Sequence, residues 1–333
     1  MGEFQDNKQL VRNYYEELDT ATGSDINRVL MRYTSDDYFW RGMHPFYEQQ
    51  GADAVAEIFW KPFRSSFRYM QRRMDVFMAG RNDIDGGRTE WVCSMGHLMG
   101  LFDKDWLGIP STGKMGFLRY VEFNRIAAGK ISETALFCDI ISVMKQAGVE
   151  PLPVQTGAFF ITPGPRTHDG LLYEPQDPAE SARTLNLINR MIDDLVGSDL
   201  ESPQDELADT WHDDMIWFGP AGIGATYTRE RYQEQHQGPF SDGLDDIRFN
   251  GHICRFAEGR YGGFFGWSNL TMKPCGGFLG LPASNKDVHM RVVDIYRRDG
   301  GKLAENWIFI DLLYFLMQQG DDVLDRTRHI LRR

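Results

Sequence analysis

Two kinds of hydrophobic spacing follow one another along this chain of 333 residues, and the succession occurs twice. NKQLVRNYYEELDTA (residues 7–21) sets its apolar residues at helical spacing, and SARTLNLINRMIDDLVG (181–197) does the same in the second half. Each predicted helix is followed by a short segment around a tryptophan, Trp40 or Trp217. A second helical stretch comes next, GADAVAEIFWKPFRSSF (51–67) or TRERYQEQHQGPF (228–240). Three or four long runs rich in aromatic and β-branched residues then read as strands joined by hairpins. The last hairpin of each half turns at AAGK (127–130) or DGGK (299–302), where glycine supplies the positive φ of a tight turn. Helices first and antiparallel strands afterwards is the order of an α+β domain with one concave sheet face.

The halves also match residue by residue. Residues 107–148 align with 279–320 without a gap, at a constant offset of 172 and with 14 identities in 42 pairs. Arg119/Arg291, Arg125/Arg297, Gly129/Gly301, Glu133/Glu305 and Asp139/Asp311 are among them. Upstream the likeness is looser: YFWRGMHP (38–45) against MIWFGPAG (215–222), and KPF (61–63) against GPF (238–240). Between the halves, residues 149–178 hold 6 of the 14 prolines, the mark of a linker or docking segment. The expected organisation is a first domain at 1–150, a Pro/Gly-rich linker at 151–178 and a second domain at 179–333.

The repeat also disposes of a nucleotide reading. GIPSTGKM (108–115) fits seven of the eight positions of a phosphate-binding loop, but Met115 cannot hold magnesium and a strand, not a helix, follows. The second copy has Asn285 for the second glycine and Asp287 for Met115, so the segment is a structural joint.

Composition narrows the partners. With 42% hydrophobic and 25% charged residues the chain is globular, and two domains of this length bury their cores without staples. A net charge of −12 argues against nucleic acid or an anionic membrane as the main partner. The densest basic run, RYMQRR (68–73), reads as a solvated helix end. Four cysteines without C-x-x-C spacing, a polar N-terminal segment and no run of 18 apolar residues lead to the expectation of a cytoplasmic protein.

Candidate chemistry comes from strand alternation. In DVHMRVVDIYRR (287–298) Asp294 shares a face with Val288, Met290, Val292 and Tyr296, and Glu122 shares one with Leu118 and Tyr120. A carboxyl on an apolar face must be paired or keep its proton. Trp307, Phe309 and Asp311 alternate onto one face of the next strand, as do Ala135, Phe137 and Asp139. Each acid has two roles open to it, a structural tie or proton transfer in an apolar concavity. His97, aligned with Asn269, is open to the same two readings, core residue or site residue. Tryptophans including Trp40, Trp217 and Trp307, with 15 methionines, are candidates for core or pocket wall. No zinc spacing and no G-x-S-x-G elbow is present, and neither metal nor other cofactor is expected.

MGHLMG (95–100), LGIPSTGK (107–114), V-[DE]-x-x-R (Val121–Arg125; Val293–Arg297), GK-[IL]-x-E (129–133; 301–305) and W-x-x-x-D (Trp307–Asp311) occur in this order. Together they resemble the SnoaL-like polyketide cyclases of the nuclear transport factor 2-like, ketosteroid-isomerase-type superfamily, most strongly over 91–148 and 259–320. The resemblance implies two tandem cone-shaped domains, each with N-terminal helices packed on a curved, mostly antiparallel sheet around an apolar pocket. It also implies a cofactor-independent cyclase, isomerase or lyase acting by aldol or enolisation chemistry on a hydrophobic carbonyl compound such as a polyketide. The acid–base role carries onto Asp294 and Glu122. His97 in the first copy, or Asp311 and Tyr296 in the second, would hold the enolate or leaving hydroxyl, with Asp139 the counterpart of Asp311. Trp40, Tyr120, Trp217, Tyr296 and Trp307 would line the pockets. The chain departs from the family in Ala135, where tryptophan is expected, in Asn269, where histidine is expected, and in fusing two copies. The fusion implies a pseudo-dimer within one chain, with a further homodimer open. The rival reading is a non-catalytic small-molecule-binding protein in which the same carboxyls are ion-paired.

Overall fold

Val11, Tyr14, Tyr15 and Leu18 recur at helical spacing, and helix α1 (Gln5–Thr20) buries all four. The structure, a computed structural model, describes residues 2–197 and 204–331. Its chain forms two units. Unit one comprises Met1–Val149, Arg166–Pro175 and Asp322–Arg333; unit two comprises Glu150–Pro165 and Gln176–Asp321. The proline-rich stretch is thereby shared between them. In unit one, Leu172 N–H donates to Phe77 O (2.9 Å) and Lys8 Nζ to Leu172 O (2.6 Å).

In unit one α1 is followed by α2 (Ser24–Tyr33), β1 (Thr34–Gly42), β2 (Glu48–Gln50) and a helix that begins as α3 (Ala52–Val55) and ends as α4 (Lys61–Ser66). Strands β3 (Phe67–Arg81), β4 (Glu90–Phe102), β5 (Met115–Ala127) and β6 (Lys130–Cys138) form a meander, and α5 (Ile140–Gln146) follows. Unit two repeats the plan with α6 (Pro178–Gly197), α7 (Gln204–Thr210), β7 (Trp211–Phe218), β8 (Thr226–Tyr227), α8 (Arg229–Tyr232) and α9 (Gly238–Gly243). Strands β9 (Leu244–Phe249), β10 (Cys254–Glu258), β11 (Tyr261–Phe265), β12 (Leu270–Pro274), β13 (Val288–Met290), β14 (Val292–Asp299) and β15 (Lys302–Ile310) come next, then α10 (Leu312–Gln318). The last helix, α11 (Val323–Leu331), belongs to unit one.

The KPF and GPF motifs have a common physical cause. A proline ring clashes with the carbonyl four residues back, so a helix cannot pass through it unchanged. In both units the turn ahead of it widens to the π form, at Ala56–Trp60 before Pro62 and at Gln233–Gln237 before Pro239.

The six-stranded sheet of unit one runs β2-β1-β6-β5-β4-β3, with β1 parallel to β6 and the other pairs antiparallel. Unit two has the same order and directions, β8-β7-β15-β14-β11-β10, with β7 parallel to β15. It differs in a second sheet, β13-β12-β9. The run 287–298, expected as one strand, is interrupted at Arg291 because a side chain replaces a ladder bond: Asn269 Oδ1 accepts from Val292 N–H at 2.8 Å. The basic run RYMQRR is a correction to the expected helix end. It lies within β3, and Arg72 is buried against Asp19 at 3.1 Å.

The last hairpin of each unit decides which residues face inward. From the turn, Asp299 pairs with Lys302, and that register would set Trp307 opposite Asp294. A bulge intervenes: Arg298 pairs with Leu303 but Arg297 with Glu305, so Ala304 is the extra residue and Ile308 comes opposite Asp294. Unit one has the same shift at Ser132, which sets Leu136 opposite Glu122. A one-residue slip exchanges the two faces of a strand. The R and E of the shared motifs are the pair beside the bulge: Arg297 Nε donates to Glu305 Oε2 with both buried, and Arg125 lies 3.8 Å from Glu133.

Candidate active site

Even-numbered residues of β14 and β15 point to the concave side of unit two. There Val292, Asp294, Tyr296, Asn306, Ile308 and Ile310 line a cavity of about 150 Å³. Helices α6, α8 and α9 supply Met191, Tyr232 and Phe240 from above. Close strand approach beneath Asp294 depends on Gly263, where a Cβ would lie 2.3 Å from Asp294 O.

Asp294 is buried on the apolar floor. Burial raises its pKa from 3.8 to about 7, and hydrogen bonds from Asn306 and Tyr296 limit the rise. The Asn306 Nδ2–Asp294 Oδ1 distance is 3.0 Å. Burial, and after it the Asp294 charge, pushes the Tyr232 and Tyr296 hydroxyls upward, so both keep their protons. A carboxyl with a pKa near 7 both takes up and returns a proton at neutral pH.

Two imidazoles face the same cavity. His236, in the π turn, stacks on Trp217 with ring centroids 3.9 Å apart, and burial pulls its pKa down to about 3. His252 stacks on Phe264 at 3.8 Å, and burial followed by Arg255 brings it to about 3 as well. Both rings are neutral at pH 7, and neither Nδ1 has a hydrogen-bond partner among the described residues.

Glu122, at the matching position of unit one, has different surroundings. Tyr15 and Asn124 each donate to its Oε1 at 2.9 Å. Arg72 lies 3.8 Å from the Tyr15 ring centroid and 5.1 Å from that of Tyr120, and Tyr120 OH is 2.6 Å from Ser94 Oγ. Trp40 packs on Phe59 and Phe46. Register places Phe249 where unit one has Arg72, since Arg248 pairs with Thr271 as Gln71 pairs with Met99. Val292 stands where unit one has Tyr120. Bulky polar side chains therefore occupy in unit one what apolar ones leave open in unit two.

Of the residues expected at a site, the cavity brings together Asp294, Tyr296 and Trp217. Four others are corrected in position. Asp311 and Asp139 cap α10 and α5, accepting from Tyr314 N (3.2 Å) and Ser142 N (2.9 Å). Asp311 also lies 3.5 Å from Arg291, whose guanidinium sits between the rings of Trp267 and Tyr314 at 4.0 and 3.9 Å. Trp307, turned to the other face by the bulge, stacks on Phe218 and donates to Pro163 O at 3.0 Å. His97 pairs in register with Arg119, not with Glu122, and its Nδ1 is 3.6 Å from Asp75 on the face away from Glu122.

His236, His252, Tyr232 and Asn306 are not among the residues expected from sequence. Tyr232, His236 and Phe240 recur at a spacing of four, which is a legible helical face. Asn306 is hidden by the bulge. His252 lies in a connection with no periodicity to reveal it. Among the described residues no group of three or more His, Cys, Asp or Glu is placed to hold a metal ion, and no helix is long and apolar enough to cross a membrane.

No curated protein matches the sequence. Similar solved structures include a candidate SnoaL-like polyketide cyclase from Jannaschia sp., 19% identical over 45% of this chain and 95% of that one, with a TM-score of 0.36. TsrD from Streptomyces laurentii is 19% identical over 43% and 97%, with a TM-score of 0.34. A nuclear transport factor 2-like protein from Burkholderia xenovorans is 13% identical over 41% and 95%, with a TM-score of 0.33. Residues 190–319 match the family model for SnoaL-like polyketide cyclase. That segment, which is similar to the SnoaL-like polyketide cyclases, holds the polar residues of the cavity wall named above, from Tyr232 to Asn306.

Proposed function

We propose that unit two is an acid–base active site for a hydrophobic carbonyl compound and that unit one is a duplicated copy retained as scaffold. Asp294 carries the proposal: a carboxyl poised near pH 7 on the floor of an apolar cavity, steadied by Asn306 and Tyr296. As the carboxylate it takes a proton from the carbon α to the carbonyl. The C–H electron pair moves into the enolate, and the Tyr232 hydroxyl donates to the developing oxyanion. The enolate carbon then either regains the proton elsewhere, an isomerisation, or attacks a second carbonyl of the same molecule. In the second case Asp294 returns the proton to the new alkoxide and a ring is closed. General acid–base catalysis of this kind supplies about 10²–10⁴-fold, and the cavity walls supply positioning. The common strand order and the ungapped repeat support duplication, and the filled surroundings of Glu122 support the scaffold role.

The first step can be tested without knowing the natural substrate. Deuterium uptake at the α-carbon of 2-tetralone, 1-indanone and a hydrophobic 1,3-diketone in D₂O is followed by proton NMR. Wild-type protein should accelerate exchange beyond a carboxylate buffer control, Asp294→Asn should lose the acceleration, and Glu122→Gln should keep it. Binding of these ketones without accelerated exchange in the wild type, or unchanged exchange in Asp294→Asn, would replace this reading with that of a binding protein.

A further inference from the structure

We infer that the connector Glu150–Pro165 is a positioning element of the site in unit two: it pins the helical run that carries Tyr232 and so sets the place of that hydroxyl. The inference rests on the role given above to Tyr232. In the chain this segment follows α5 of unit one, yet it belongs to unit two, just as α11 follows α10 and belongs to unit one. The crossings, at Glu150 and Asp322, are separated by the offset of the repeat itself. Both tails are received at the same repeat position. A Cβ on Gly280 would lie 3.1 Å from Pro153 Cβ, and one on Gly108 would lie 2.3 Å from Arg328 Cγ. Each repeat is thus completed by the tail that continues from the other.

The seat of the connector in unit two is built for close backbone contact. Gly157 N–H donates to Ile223 O, and Ala158 and Ala225 exchange N–H···O bonds, all at 2.8 Å. Gln155 Oε1 accepts from Gly222 N–H at 3.1 Å. Gly157 and Gly224 lie so near each other that a Cβ on the first would be 2.6 Å from the Gly224 carbonyl carbon, and one on the second 2.5 Å from that of Gly157. Thr156 Oγ1 donates to Gln235 O in the π turn, and Pro163 O accepts from Trp307 Nε1 at 3.0 Å. Residues 222–225 lead through β8 into α8, whose N-cap is Thr228. The connector therefore holds the run 228–240 at its entry and at its π turn, on both sides of Tyr232. A helix this short has little stability of its own, so tertiary contact is what fixes it. Tyr232 OH lies 3.3 Å from Gln237 Oε1 on the same run, and the hydroxyl moves with it.

Hydrogen exchange of the full chain carrying Gly157→Val tests the seat, because a side chain there has no room against Gly224. Amides of residues 222–240 should exchange at least about tenfold faster than in wild type, with β14 unchanged. Gln155→Ala, which removes one bond to the loop, should give about 2–10-fold, and Val154→Ala, at a fully exposed position of the same segment, no change. If Gly157→Val unfolds unit two as a whole, Gln155→Ala decides. Unchanged protection of 222–240 overturns the inference. Saturation kinetics of ketone α-exchange then show whether the effect passes through Tyr232. Gly157→Val should lower kcat about tenfold, leave the pH midpoint in place and have no further effect in the Tyr232→Phe background. An equal loss in both backgrounds also overturns the inference, since a general weakening of unit two would act without Tyr232. Wild-type protein that accelerates no exchange rejects the proposed chemistry alone, and the protection of 222–240 still decides on the connector.

Discussion

Replacing Asp294 by asparagine should stabilise unit two at alkaline pH and do little in acid. The folded-state pKa of Asp294, about 7, is above its ordinary 3.8. Below about pH 4 both folded and unfolded chains hold the proton, and burial of the neutral acid carries no titration penalty. Between pH 4 and 7 the unfolded chain ionises first and stability falls. Above pH 7 both are ionised and the full penalty is reached. A difference of about three pKa units at 1.36 kcal/mol each gives a total of about 4 kcal/mol, of which about 3 kcal/mol develops between pH 4.5 and 8.5. Asparagine cannot ionise, so the stability gap between variant and wild type should change by that amount across the interval. Asn306 and Tyr296 can still donate to the amide oxygen that Asp294→Asn introduces, so the hydrogen bonding of the site is largely kept. The assay is urea unfolding at several pH values, read by pulsed hydrogen exchange and mass spectrometry so that peptides of β14 and β15 report unit two alone. A gap that stays constant within about 1 kcal/mol from pH 4.5 to 8.5 would refute the claim that burial governs this carboxyl.

Three other outcomes follow from the same geometry. The α-exchange rate should rise with pH and level off, with its midpoint near pH 7, because only the ionised Asp294 is a base; a midpoint near pH 4 would assign the activity to another carboxyl. Glu305→Gln should cost unit two about 3 kcal/mol by leaving the buried Arg297 with only the half-exposed Asp299, 3.9 Å away, to balance its charge, and a loss below 1 kcal/mol in the same urea assay would show the Arg297–Glu305 pair to be dispensable. Ala128 holds φ +49° in the turn that closes β5 and β6, so Ala128→Gly should raise the stability of unit one by about 0.5–1 kcal/mol, and a lower urea midpoint would contradict the assigned turn strain.

Much of the architecture is written locally. Periodicity in α1 and α6, the hairpin turns at Gly129 and Gly300 (φ +71° and +56°) and the repeat at a fixed offset are all properties of neighbouring residues. The face shared by Val292, Asp294 and Tyr296 is likewise local, because strand alternation needs no partner. The KPF and GPF prolines announce a distortion of their helices, although its π form appears only when the chain is folded. Arg297 and Glu305 are visible as a spacing common to the two copies, and their role as a cross-strand pair emerges from register.

What folding alone decided is the composition of the cavity. A single extra residue, Ala304, reverses the face of β15, taking Trp307 and Asp311 away from Asp294 and bringing Asn306 to it. No local pattern marks that bulge, since it depends on how β14 and β15 pair. Tertiary packing also separated two acids that look equivalent in sequence: Glu122 is enclosed by Tyr15, Asn124 and Arg72, while Asp294 lies on the wall of an apolar cavity that His236 and His252 also line. A side chain's residue type and strand parity are set by the chain itself. Its desolvation, and hence its pKa, is set by residues distant in sequence, which is why the sequence could nominate both carboxyls and only the folded structure could tell them apart.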